Sequence, residues 1–119
     1  MQHEPRAYLL DILEACEAIM VSVRGIDFDA YKANREKRSA VEREFITIGE
    51  AMAVLRDREP ALFDQVTAAG EIIDFRNQLT HGYKTINNAV VWGIALRGVP
   101  VLRRECKVLL DHLDASRAD

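Results

Sequence analysis

Leu9, Ile12, Leu13, Cys16, Ile19, Met20 and Val23 recur at intervals of three and four residues. That spacing lays one apolar stripe along a helix and no other regular element. It predicts an amphipathic helix over residues 5–24, with Pro5 tolerated in the first turn and Gly25 as the stop. Val41, Phe45, Ile48, Met52 and Leu55 repeat the pattern in a second long helix over 37–58, ended by Pro60. No stretch of length alternates as a half-buried strand would. A chain built this way is an all-α protein, an antiparallel bundle of four or five helices.

The segments between and after these helices fit that frame. Asp27 can cap two helical turns reaching Asn34, and Ala61-Leu62-Phe63 reads as a short helix or turn running toward Gly70. A helix over 71–80 follows, with Gly82 just past its last turn. Asn87 or Asn88 can cap the next, which Gly98 and Pro100 should kink or break. Val101, Leu102, Cys106, Leu109, Leu110 and Leu113 mark the last amphipathic segment, and 115–119 should fray. With no linker, repeat or low-complexity tract, residues 1–119 read as a single domain. Cys16 and Cys106 each fall at an apolar helical position and read as core rather than as a disulfide or metal pair. No apolar run has membrane-spanning length and the start lacks a signal-peptide pattern, so a cytoplasmic protein is expected.

Chemistry concentrates in Arg76-Asn77-Gln78-Leu79-Thr80-His81-Gly82-Tyr83. A fixed cation, an amide, an imidazole and a phenol stand within eight residues. On a helix Ile72, Phe75 and Leu79 share the core face, with Arg76 at its edge. Asn77 and His81 share the opposite side. Arg76 and His81 diverge by about 140° on a regular helix. They meet on one substrate only if the helix ends near His81 or if a twofold-related second copy supplies one of them. Such groups suit a metal-independent RNA cleavage. The ribose 2′-hydroxyl attacks the adjacent phosphorus, His81 takes or delivers a proton, and Arg76 offsets charge on the phosphoryl oxygens. Asn77 can donate to a phosphate oxygen or orient the imidazole. A plainer reading stays open, in which Arg76 pairs with Glu50. That carboxylate lies in the run 45–55, apolar nearly all round, and needs a partner if it is buried.

Other chemistries lack their residues. His3, His81 and His112 are scattered and form no metal-ligand cluster, and no glycine-rich phosphate loop or activated-nucleophile motif occurs. No metal and no cofactor is expected. A net charge of −3 gives no whole-surface attraction for nucleic acid, so RNA would have to meet a local cationic patch. Arg35, Lys37, Arg38 and Arg43 offer one, and Arg97, Arg103 and Arg104 another.

With these residues in place, the chain resembles the HepT-like family of the HEPN superfamily, the toxin half of the MNT–HepT toxin–antitoxin systems. The family signature, Arg-x4-His-x-Tyr, stands as Arg76, His81 and Tyr83, with the customary polar Asn77 after the arginine. Ala40-Val41 leading into Ile48-Gly49-Glu50-Ala51, and Val90-Val91-Trp92 after the motif, match as well. The resemblance spans residues 8–113. It implies a HEPN-like homodimer with its motif at the subunit interface, and a metal-independent endoribonuclease acting on tRNA or mRNA. Arg76 and His81 carry over as catalytic, with Asn77 as a helper; Glu50, read from its place in the apolar run, is a further supporting candidate. The resemblance further implies a minimal nucleotidyltransferase (MNT-type) antitoxin that transfers AMP from ATP to Tyr83, a type VII-like arrangement. The competing expectation is a non-catalytic helical subunit that helps a nucleotidyltransferase hold its substrate.

Overall fold

A computed structural model describes residues 5–82 and 86–118. Seven α-helices follow one another among the described residues: α1 (Pro5–Val23), α2 (Phe28–Ala33), α3 (Arg35–Arg58), α4 (Pro60–Phe63), α5 (Ala69–His81), α6 (Asn88–Gly93) and α7 (Val99–Ala118). A π-helical turn, Ile94–Gly98, joins α6 to α7.

The expected all-helical bundle is what forms. Helix α1 packs against both α3 and α7, and α3 also carries α5. Cross-links at the helix ends give the directions. Arg58 at the end of α3 donates to Tyr8 Oη near the start of α1 (3.2 Å), while Lys37 Nζ reaches the Ser22 carbonyl at the other end (2.8 Å). Arg6 pairs with Asp114 (2.7 Å) and Arg103 with Glu17 (3.4 Å), so α7 also runs antiparallel to α1. Leu9, Ile12, Cys16 and Ile19 of α1 are buried together with Val41, Ile48, Met52 and Leu55 of α3 and with Cys106 of α7. Both cysteines are free thiols in this core, as their helical positions predict. Burial holds each thiol pKa up at about 12.

Local signals account for most element ends. Gly25 takes φ +76° just beyond α1, a conformation costly for any side chain. Asp27 caps α2 by accepting from the Ala30 N–H (2.9 Å). Asn34 closes α2 and, through its side chain, caps α3 at the Lys37 N–H (3.0 Å). Asn87 caps α6 at Ala89 and Val90. Beneath α6, Trp92 lies against Tyr31 (ring centroids 5.3 Å) and Phe28 (6.2 Å), fastening α2 to α6.

Several boundaries differ from expectation: α3 begins at Arg35 rather than 37, and α7 stays helical to Ala118 where the tail should fray. Helix α5 begins at Ala69 rather than 71, because Ala68 takes the left-handed φ of 60°. Thr67 fixes that turn: its N–H and hydroxyl both donate to the Glu105 carboxylate of α7 (3.0 and 2.6 Å). Gly98 and Pro100 do not break the chain's last helical stretch. The Val99 N–H bonds to the Ile94 carbonyl, five residues back. This wider turn ends just before Pro100, whose ring would clash with the carbonyl of an ordinary α-turn. The helical path therefore continues into α7. None of the helices among the described residues is long and apolar enough to cross a membrane.

Candidate functional site

Helix α5 carries the chemistry-bearing octet, and α3 determines how its first member sits. Ile73 and Leu79 are buried, and Phe75 meets Phe45 of α3 edge to face (centroids 5.1 Å, 81°). One turn further along α3 stands Gly49. A Cβ there would lie 2.2 Å from Arg76 Cβ and 2.6 Å from Arg76 Cγ. No side chain fits in that space, so the stem of Arg76 rests directly on α3 backbone. The arginine is half-buried as a result. Gly49 is the functional residue that sequence reasoning missed as such. Its signal was present in the Ile48-Gly49-Glu50-Ala51 flank, a glycine inside an otherwise regular helix.

From this seat Arg76 Nε donates to Asn77 Oδ1 at 2.8 Å. The bond fixes the amide of an exposed residue beside the guanidinium, which leaves both terminal nitrogens of the arginine available for a bidentate anion. Thr80 Oγ1 donates to the Arg76 and Asn77 carbonyls (3.1 and 3.2 Å), tightening the last turn. His81 is exposed and is the last residue of α5; the Gly82 N–H bonds back to the Gln78 carbonyl at 2.8 Å. Gly82 closes the helix with φ −120°, without the left-handed conformation that favours glycine. The helix stays regular to His81, so Arg76 and His81 point about 140° apart on it. Asn77 and His81 share a side, as expected. Tyr83, the expected AMP acceptor, lies outside the described residues.

Glu50 corrects an expectation. It is exposed rather than buried, and among the described residues no ion pair joins it to Arg76. The run 45–55 looks apolar all round because Gly49, Ala51 and Ala53 count as apolar, yet such small residues do not require cover on every side. One face of α3 is open there.

The cationic patches are partly committed. Lys37 and Arg38 donate to the carbonyls of Ser22 and Lys32, Arg103 pairs with Glu17, and the Arg97 guanidinium folds over Gly93. Arg35, Arg43 and Arg104 stay exposed. Among the described residues, no group of three His, Cys, Asp or Glu side chains is placed to hold a metal ion. An apolar hollow of about 350 Å³ lies on the far side of α5, among Phe45, Ile72, Phe75, Ile94, Val99 and Leu102. It includes neither Arg76 nor His81, and its lining offers little to a phosphate.

Named proteins share much of this sequence. The chain is 31% identical over 106 residues to "Putative RNase TTE0752" of Caldanaerobacter subterraneus subsp. tengcongensis, covering 89% of this chain and 94% of that protein. It is 29% identical over 108 residues to "Putative RNase MJ1380" of Methanocaldococcus jannaschii (91% and 98% covered). It is 28% identical over 103 residues to "Probable ribonuclease HepT" of Thermococcus cleftensis (87% and 93% covered). Comparison with solved structures gives no match. The profile of one family, described as ribonuclease HepT-like, runs through residues 12–109, from the middle of α1 across the Gly49 seat and the α5 motif to α7. On that span, which contains both the bundle and its arginine–histidine helix, the chain belongs to the ribonuclease HepT-like family.

Proposed function

We propose that this chain is a metal-independent endoribonuclease, the toxin of a type VII-like toxin–antitoxin pair, with Arg76 and His81 as its catalytic residues. The observation that carries the reading is the seat of Arg76 on Gly49. A guanidinium carried on a half-buried arginine and held beside a fixed amide, on the helix that ends in an exposed imidazole, is arranged for phosphate rather than for packing.

In the reaction, the ribose 2′-oxygen attacks phosphorus while a neutral His81 imidazole takes its proton. Arg76 offsets the charge that grows on the non-bridging oxygens. The bond from phosphorus to the 5′-oxygen breaks as a protonated imidazole supplies a proton to it, leaving a 2′,3′-cyclic phosphate and a free 5′-hydroxyl. Because Arg76 and His81 diverge on one regular helix, a homodimer meets the need for both on one phosphate: each site takes groups from both protomers, and the two His81 imidazoles divide base and acid. Asn77 holds the guanidinium and can donate to the same phosphate. Glu50, exposed on α3, acts in support rather than on the substrate.

Neutralisation falls to a minimal nucleotidyltransferase antitoxin. The Tyr83 hydroxyl attacks the α-phosphorus of ATP, pyrophosphate leaves, and the phenolic proton is released. The attached adenylate then sets bulk and negative charge two residues from His81, where the RNA phosphate must sit.

Purified protein incubated with RNA in excess chelator should cleave it, and His81→Ala should lower the rate by about 10²- to 10⁴-fold with the helical circular-dichroism spectrum unchanged. Wild-type protein that leaves RNA intact would overturn the assignment and favour the non-catalytic nucleotidyltransferase subunit. For the switch, intact mass after co-expression with the nucleotidyltransferase should rise by one or more AMP units, and Tyr83→Phe should abolish the first. An unmodified wild-type mass would remove Tyr83 from the mechanism.

A further inference from the structure

Helix α5 ends beside a small pocket that the arginine–histidine pair leaves unused. Phe75, Gln78 and Leu79 of its last turns, with Gly82 just past them, meet Asn87 and Val90 of the next helix around a volume of about 270 Å³. That is just below the roughly 300–1,000 Å³ of a drug-sized ligand's site, so the pocket suits one planar ring system rather than a larger molecule. Its walls are apolar and its side-chain polar groups are amides. Asn87 Oδ1 accepts from the Ala89 and Val90 N–H groups (2.9 and 3.3 Å), which leaves Nδ2 as a donor at the rim. Gln78 is exposed, and its side-chain amide makes no hydrogen bond among the described residues. An amide presents a donor and an acceptor side by side, the pattern that pairs with the edge of a nucleobase.

A second feature adjoins the first. Val90, 51% exposed, lines this pocket and also a shallow depression that holds Gly93 and Arg97. From the π-helical turn Arg97 folds back over Gly93, where a Cβ would lie 2.8 Å from its Nη2. The guanidinium therefore lies against α6, and among the described residues no carboxylate pairs with it. From Asn87 to Gly93 is about 9 Å along the helix. Two to three stacked nucleotides, at about 3.4 Å each, cover that span. At the pocket's other end, Gln78 precedes His81 by three residues and so neighbours it on the surface of α5.

We infer that the pocket and Arg97 form one track for single-stranded RNA, with a nucleobase read by Gln78 and a phosphate further along the strand held by Arg97. The inference rests on the proposed ribonuclease reading and names how that site selects its substrate. Bases within an A-form duplex are stacked and paired, so only a base splayed from a loop or an end can enter such a pocket. A base seated there brings its ribose toward the turn that carries His81. Gln78 is then a specificity residue and Arg97 an anchor, and neither takes part in the bond-breaking step.

Binding of labelled 2′-O-methyl RNA octamers, which cannot be cut at a 2′-oxygen, tests the track separately from the chemistry. By fluorescence anisotropy, wild-type affinities for the A, C and U homopolymers should differ at least about fivefold between best and worst. Gln78→Ala should level them. Gln78→Glu, which keeps an acceptor and loses the donor, should shift the preference toward cytosine. Arg97→Gln should weaken all three at least about fivefold and make the slope of log K against log salt shallower by about 0.7. Both side chains are exposed, so helical content and sedimentation should match wild type. Affinities that the Gln78 and Arg97 variants leave unchanged, in a protein that cleaves RNA, would overturn the track alone. A change of oligomeric state in Arg97→Gln would make this surface a protein contact and also overturn it. Binding that follows the expected pattern, in a protein that leaves unmodified RNA intact, would uphold the track and overturn the catalytic assignment.

Discussion

At Gly49, α3 gives up a side chain so that the stem of Arg76 can lie against its backbone, and a single methyl group tests the arrangement. The added carbon of Gly49→Ala would stand 2.2 Å from Arg76 Cβ, an atom fixed to the α5 backbone. Neither helix can relieve that contact by a rotamer change, so α5 must move. Overpacking of this kind costs about 1–3 kcal/mol, against a helix-propensity gain of about 1 kcal/mol for alanine over glycine. The urea midpoint should fall, and RNA cleavage should fall further than stability alone explains, because Arg76 is displaced. A midpoint at or above wild type would show that the helices are not in contact there. Arg76, Asn77 and His81 are legible as a motif in the sequence itself, since residue type and spacing carry them. The glycine that positions them is legible there only as a flank, because what it contacts is almost thirty residues away in the chain.

Between elements, Tyr31 of α2 is buried against Trp92 of α6, and its hydroxyl has no hydrogen-bond partner among the described residues. Burial, with Glu42 adding to it and Arg38 opposing, pushes its pKa from 10.0 up to about 12. The folded state thus holds this proton more tightly than the unfolded chain does. Its contribution to stability is complete below pH 10 and is lost as pH rises from there toward 12. Tyr31→Phe forfeits no hydrogen bond, so stability near neutral pH should stay level or rise by up to about 1 kcal/mol. In urea melts between pH 9 and 11.5 the variant should lose stability less steeply than wild type. It should retain the part owed to Cys16 and Cys106, whose thiols deprotonate from pH 9 upward in the unfolded chain and are held to about 12 in the fold. Parallel melts for the two proteins would show that Tyr31 does not titrate with unfolding. The elements themselves were largely readable, because apolar period and cap residues sit in the same local stretch. Asn34 shows why some were not, since one side chain both ends α2 and starts α3. The turn at 94–98 shows it again: glycine and proline signal a break, and only the packing around the helix reveals that a wider turn absorbs them.

For the whole molecule the governing quantity is a net charge of −3 against a polyanionic substrate. Long-range attraction is absent at that balance, and several cations that could have formed a surface patch are engaged within the chain, Lys37 and Arg38 at carbonyls and Arg103 at Glu17. Under the proposed function, RNA should then be held by few phosphate contacts. In the proposed dimer, Arg76 and one further cation from each protomer would neutralise about four phosphates, and for single strands the slope of log K against log salt is about −0.7 per phosphate. That gives a slope near −3, so affinity should fall by about fifty-fold between 50 and 200 mM salt. Fluorescence anisotropy of labelled RNA on His81→Ala, which under the proposed mechanism holds the substrate without cutting it, measures the slope directly. Arg76→Gln in that background should make it shallower by one or two contacts. A slope steeper than about −6 would mean that a broad basic surface binds the RNA, and a slope unmoved by Arg76→Gln would mean that Arg76 does not touch phosphate.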